Sequence, residues 1–434
     1  MDWSGHALLG LRAAEGLPDR EINQLKTALY PAGGKRPFMP EIRNMREKLG
    51  AYCLIPDWIY QKGFERHARM PNGKWIPHTP VNSEFSACRG SGISFSANVA
   101  LLSDLLESLI QELRAEHWEE AVCRAGVLGH FIQEPFTPGH AFDNRLFQEL
   151  FPDPDPGRSI KLHEAFDCAG GAFPPPEPIL LGVSVPEAAN RLFAEMFRGM
   201  KRGYRYIEPV IRSVYRGDSQ EVRRALLMPQ SELAARATAS AWHTAFCIAS
   251  GRFDPEEAAH LDRLDLNVIP PYDCHLNVLD HPVADCITGT DGRKHPLTVY
   301  DESGTGEKTF SRGFALYGHA GIKYYLNGVY ARFRCRLGMP SRMLRGQDEH
   351  AHLDFSIETD DRENTVYSED IRYNGKRIHA EDIRSGMPLK TIDVDIRGAG
   401  TLILSSRAEP WTDENGETRF SVPDLILAEP ELLK

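Results

Sequence analysis

The spacing of apolar positions along the chain changes near residue 300. Up to about residue 255 they recur every three or four residues, which lays one apolar stripe along a helix. The stretch "SANVALLSDLLESLIQELRAEHWEEAVCRAGVLGHFIQ" carries this spacing throughout and predicts one long helix, with Ser96 or Asn98 as its cap. "VPEAANRLFAEMFRGMKRGYRYIEPVIRSVYRG" and "DSQEVRRALLMPQSELAARATASAWHTAFCIASG" repeat the theme, with proline near the first turn of the former and glycine closing both. "AGGAFPPPEPILLGVSVP" reads as a proline-rich loop between helices.

Beyond residue 300 apolar and polar residues alternate. "GVYARFRCRLGM", "AHLDFSIETD", "NTVYSEDIRYNGKRI", "KTIDVDIRGAGTLILSS" and "TRFSVPDLILAEPEL" predict short strands, with a hairpin turn at Asn374-Gly375. Strands at even spacing with no helices between them predict a β-sandwich or jelly roll. The expected fold class is multi-domain α and β: a helical domain over 1–255, a connection over 256–304 and a β-sandwich over 305–434. A length of 434 residues fits two domains better than one core.

Composition narrows the function. The net charge of -11 argues against a surface that coats nucleic acid broadly. It leaves room for a phosphate ester held by metal ions, which supply positive charge locally. No apolar run approaches the length of a membrane span, so stable membrane insertion is not expected. The opening "MDWSGHALLG" has no basic segment followed by an apolar run, so no signal peptide is expected in this chain. The location stays open between the cytoplasm and export of a chain whose mature start is Trp3. The eight cysteines contain no C-x-x-C pair, which disfavours a zinc ribbon and predicts mostly free, buried thiols.

The chemistry concentrates in "GVLGHFIQEPFTPGHAFDN". His130 and Glu134 stand four apart, on one face of a helix, and so can grip one ion together. Pro135 and the turn at 137–139 let His140 return toward the same cluster. Downstream, "KLHEAFD" places His163 and Asp167 at the same spacing. One such pair is usually a solvated helix face. Two pairs plus His140 give five nitrogen and oxygen donors, more than one tetrahedral zinc needs, and predict a multinuclear metal site.

These residues resemble the zinc-dependent phospholipase C/P1 nuclease family in spacing and order. "DWSGHALLGLRAAEGLPD" resembles the family's start and adds Trp3 and His6. "IPDWIYQKG" and "KWIPHTPVN" add Asp57 and His78, with His67 as the alternative to His78. The resemblance covers roughly the first 250 residues. It implies two or three zinc ions in one cleft: one on Asp57, His78, His130 and Glu134, and a second on His140, His163 and Asp167, with Asp57 bridging. A third would take His6, Glu134 and the terminal amine and carbonyl of a chain starting at Trp3. The sequence departs from the family at two points: Glu134 stands where aspartate is usual, and Trp3 is not the first residue. The implied activity is hydrolysis of a phosphodiester or phosphomonoester P–O bond in a nucleotide, nucleic acid or phospholipid headgroup, with Asp57 orienting or deprotonating the attacking water. Phe136 and Phe142 are candidate substrate contacts, with core packing as the alternative for each.

The second half, through "GFALYGHAGIKYYLNGVYARFRCRLGM", "TIDVDIRGAGTLILSS" and "VPDLILAEPEL", resembles the NPCBM-type module, carried on Gly318, His319, Gly328, Tyr330 and Phe333. That resemblance implies a glycan-binding or packing module without catalysis. The segment Asp348–His352 also has a metal-binding composition. A rival reading of the whole chain is a non-catalytic glycan-binding protein whose helical metal domain has decayed.

Overall fold

The computed structural model describes residues 3–24, 49–50, 52–53, 95–140, 149–151, 165–166, 172–269, 273–275, 285–289, 292–342, 350–360, 362–374, 376–379, 382–384, 387–413, 415–419 and 424–434. They fall into two units, Met1–Ala259 and His260–Lys434.

The first unit is helical. Its described helices are α1 (Trp3–Gly16), α2 (Asp19–Gln24), α3 (Phe95–Arg114), α4 (Trp118–Gln133), α5 (Val185–Arg216), α6 (Gln220–Ser250) and α7 (Pro255–Ala258). No described helix is long and apolar enough to cross a membrane. The stretch expected to form one long helix forms two, α3 and α4. Glu116 adopts φ +57 between them. The Glu116 amide donates to the Leu113 carbonyl and the His117 amide to the Glu112 carbonyl, a Schellman closure built without glycine. Ser96 and Asn98, expected to cap this helix, lie inside its first turn, because α3 begins at Phe95. At α5 and α6 the expected glycine endings hold: Gly217 and Gly251 are left-handed, at φ +72 and +65.

Helix α4 carries the centre of this unit. Every residue from Ala121 to Gln133 is buried, so the helix is enclosed on all faces. Glycine makes that enclosure tight. A Cβ on Gly126 would stand 2.3 Å from the Tyr52 Cβ, and one on Gly10 of α1 would stand 2.7 Å from the Cys53 Sγ. The short segment at 52–53 is thereby wedged between α1 and α4. The Trp242 indole of α6 donates to the Ala125 carbonyl at 2.7 Å and ties α6 to the same helix. A further helical turn, Ala165–Phe166, packs on Val210 and Val214 of α5 and Leu227 of α6.

The second unit is a β-sandwich of two antiparallel five-stranded sheets. Its principal strands are β1 (Arg263–Asp265), β2 (Asp273–His275), β3 (Gly313–Tyr317), β4 (His319–Tyr325), β5 (Arg332–Gly338), β6 (His350–Thr359), β7 (Asn364–Asn374), β8 (Lys390–Asp395), β9 (Thr401–Ala408) and β10 (Asp424–Leu433). One sheet runs β1-β10-β5-β8, with β3 also paired to β10; the other runs β7-β6-β9-β4-β2. Burial along β6 alternates strictly, as the period-two pattern requires.

Two features differ from the sequence pattern. The stretch 256–304, read as a connection, supplies β1 and β2 to the two sheets. These strands have three residues each, too short for period two to register. The expected Asn374-Gly375 hairpin includes Gly375, which lies outside the described residues, and among the described residues the strands on either side pair elsewhere. Residues Asn364–Asn374 pair with His350–Thr359, and Lys376–His379 pair with Asp382–Arg384. The β6–β7 turn instead uses Asp360 and Arg362, at φ +52 and +75.

Candidate metal centre

Three of the sequence-selected residues meet in the first unit. His6 arrives from α1, His130 from the last turn of α4, and Glu134 from the 3-10 turn Glu134–Phe136 that continues α4. All three are buried, and they offer one donor atom each within 4.8 Å of one another. The imidazoles lie close together, with ring centroids 4.0 Å apart and planes tilted by 31°.

The hydrogen bonds decide which nitrogen each ring presents. His130 Nδ1 donates to the Cys53 carbonyl at 2.9 Å. Its Nε2 lies 3.6 Å from Glu134 Oε1. His6 Nδ1 lies 2.8 Å from Gln133 Oε1, and its Nε2 lies 2.8 Å from Glu134 Oε1. Each ring is therefore held through Nδ1 by a carbonyl oxygen, and each Nε2 faces the same carboxylate. A histidine held through Nδ1–H in this way is one whose Nε2 ligates a metal.

Burial is the larger influence on His130 and lowers its pKa well below the usual histidine range; the neighbouring His6 lowers it further. The ring is neutral at pH 7, the form that binds metal. Burial pushes the Cys53 thiol up to about 12. Cys53 thus stays protonated and serves the site through its carbonyl, not as a thiolate.

Gln133 and Cys53 were not among the residues selected from sequence. A glutamine next to Glu134 on a fully buried helix was the available signal for Gln133. Nothing in the sequence marks the Cys53 backbone oxygen. Among the other selected residues, Trp3 begins α1 and His140 ends the 3-10 turn Pro138–His140. Asp57, His67, His78, Phe142, His163 and Asp167 lie outside the described residues. Phe136 is 3% exposed, and its ring occupies the space beside Gly199. It offers little ring area for stacking a substrate.

In the sandwich, His352 Nε2 meets Asp370 Oδ1 at 2.5 Å, and Asp354 joins them to form a second candidate donor group. Tyr330 and Phe333 are buried, and Gly328 adopts φ +70 before β5.

Residues 279–420 match the NPCBM/NEW2 domain. The C-terminal region is an NPCBM/NEW2 domain. The match begins before β3 and ends short of β10. No curated protein matches the chain. Among solved structures, the alpha toxin from Clostridium absonum is 10% identical over 100% of this chain and 99% of its own, with a TM-score of 0.32. A CBM51 from Clostridium perfringens GH95, solved with methyl-galactose, is 16% identical over 39% of this chain and 99% of its own, with a TM-score of 0.26. A Clostridium perfringens M60 catalytic domain with two CBM51 domains is 14% identical over 40% of this chain, with a TM-score of 0.29. This chain spans only 15% of that protein. With TM-scores this low, the three likenesses establish neither fold nor activity.

Proposed function

We propose that the helical unit is a zinc-dependent hydrolase of phosphoester P–O bonds, and that the NPCBM/NEW2 domain binds a glycan. The observation that carries the first part is the shared orientation of His6 and His130. Both present Nε2 to the Glu134 carboxylate while carbonyl oxygens hold Nδ1. Two imidazoles and a carboxylate are a donor set that suits zinc.

His6, His130 and Glu134 would ligate zinc, with Trp3, Asp57, His78, His140, His163 and Asp167 completing the set that the sequence resemblance implies over two or three ions. Bound zinc acidifies water and neutralises charge on phosphoryl oxygens. The chain's own groups prepare the site. Gln133 and the Cys53 carbonyl lock both rings, and burial keeps His130 neutral. The packing around α4 excludes bulk water and strengthens each electrostatic contact there. Asp57 is assigned the role of orienting or deprotonating the attacking water. The glycan assignment rests on the domain match.

The test uses the full chain, with bis-p-nitrophenyl phosphate as the probe. Zinc at or above one ion per chain and turnover abolished by EDTA are expected. Substoichiometric zinc without EDTA-sensitive turnover would sink the assignment.

A further inference from the structure

A second group of donors lies elsewhere in the helical unit, on residues with no part in the centre described above. Glu21 sits on α2, and His243 and Cys247 sit one turn apart on α6. All three are buried, and one donor atom from each lies within 4.8 Å of the others. His243 Nδ1 is 2.7 Å from Glu21 Oε1, and Cys247 Sγ is 4.0 Å from the same nitrogen and 3.7 Å from Nε2. Glu21 is 2% exposed, yet its Oε2 has no hydrogen-bond partner among the described residues. An unpartnered carboxylate oxygen is costly in such a place and needs an explanation.

We propose that Glu21, His243 and Cys247 form a second metal site, which takes zinc or a similar thiophilic divalent cation through a carboxylate oxygen, Nδ1 and the thiolate. The donor set selects the metal. Thiolate and imidazole favour zinc and its neighbours, whereas calcium and magnesium require oxygen ligands. Tetrahedral bonds of about 2.0–2.3 Å place ligand atoms roughly 3.3–3.8 Å apart. The observed separations are 2.7 Å for the hydrogen-bonded His243–Glu21 pair and 4.0 Å for Cys247, so binding would move the carboxylate out and the sulfur in.

Glu257 supplies the outer support. Its Oε2 stands 3.1 Å from His243 Nε2, so a carboxylate holds the ring nitrogen opposite the proposed metal. This is the usual second partner of a zinc-bound histidine. Without the metal, burial opposes a charged His243, but the Cys247 and Glu21 hydrogen bonds outweigh it and push the pKa up to about 10. A metal takes the neutral ring and the thiolate as its ligands. The site would pin α2 and, through Glu257, α7 to α6.

Cobalt(II) added to the chelator-stripped full chain is the probe, because thiolate ligation gives a near-ultraviolet charge-transfer band. We expect this band in the wild type. It should vanish in Cys247→Ser, with circular dichroism confirming the fold, and Glu21→Gln should weaken cobalt affinity at least tenfold. It should persist in His130→Ala and Cys53→Ser, which alter the other centre. A missing band in the wild type, or a band that survives Cys247→Ser, would overturn the site. Loss of phosphodiesterase activity in His130→Ala with the band retained keeps the two proposals separate.

Discussion

The His6–His130–Glu134 group of the helical unit and the His352–Asp354–Asp370 group of the sandwich look alike by proximity alone. They differ in what surrounds them. In the helical group all three residues are buried, and both Nδ1 atoms are committed to carbonyl oxygens, which leaves both Nε2 atoms aimed at one carboxylate. In the sandwich group Asp354 and Asp370 are 46% and 48% exposed. Arg407 lies against Asp354 and Arg372 against Asp370, while His352 spends Nε2 on Asp370. The first arrangement converges buried donors on one point; the second is a neutralised surface network. Orientation and burial, more than the count of donors, mark a metal site.

That contrast can be broken at several points. His130→Ala removes a proposed ligand and should cut phosphodiesterase kcat/KM by more than about 100-fold, with the zinc of that centre lost in parallel. Full activity in this variant would end the assignment. Gln133→Leu leaves the His6 ring without its Nδ1 acceptor. We expect zinc affinity to fall roughly 10–100-fold in a chelator competition, with Gln133→Glu restoring most of it. Gly126→Ala forces a methyl group into the Tyr52 backbone and should cost about 1–3 kcal/mol in denaturant unfolding. An unchanged midpoint would mean that the wedge at 52–53 is loose.

The sandwich should respond far less. The hydrogen bond from Arg332, supported by Arg334, holds the Asp393 carboxyl below the usual range. Its contribution to stability is complete above the unfolded value of about 3.9 and fades as pH falls through the lower folded value. Asp393→Asn should therefore cost under about 1 kcal/mol at neutral pH, less at high salt, and nothing in strong acid. Acid and thermal scans of both proteins would reveal a larger or pH-independent effect. His352→Ala should change neither zinc content nor turnover. A loss of either would place function in the wrong cluster.

Much of this was legible from residue spacing. The helical and strand periods told a helical part from a β-sandwich part, and the i, i+4 spacing of His130 and Glu134 placed two donors on one face. The support for those donors was not legible. The Cys53 carbonyl is a backbone group brought in from 77 residues away, and no side-chain pattern encodes it. The break at Glu116 was hidden because a non-glycine residue took the left-handed position. The Glu21–His243–Cys247 group escaped notice because its members are separated by more than 200 residues. Only the His243–Cys247 spacing is local, and one such pair is common on any helix.

Anomalous diffraction at the zinc edge, from crystals of the full chain grown with zinc, tests the central claim most directly. The account predicts zinc peaks at about 2.0–2.2 Å from His6 Nε2, from His130 Nε2 and from the Glu134 carboxylate oxygens. Zinc bound at the sandwich group, with no peak among those three residues, would contradict it.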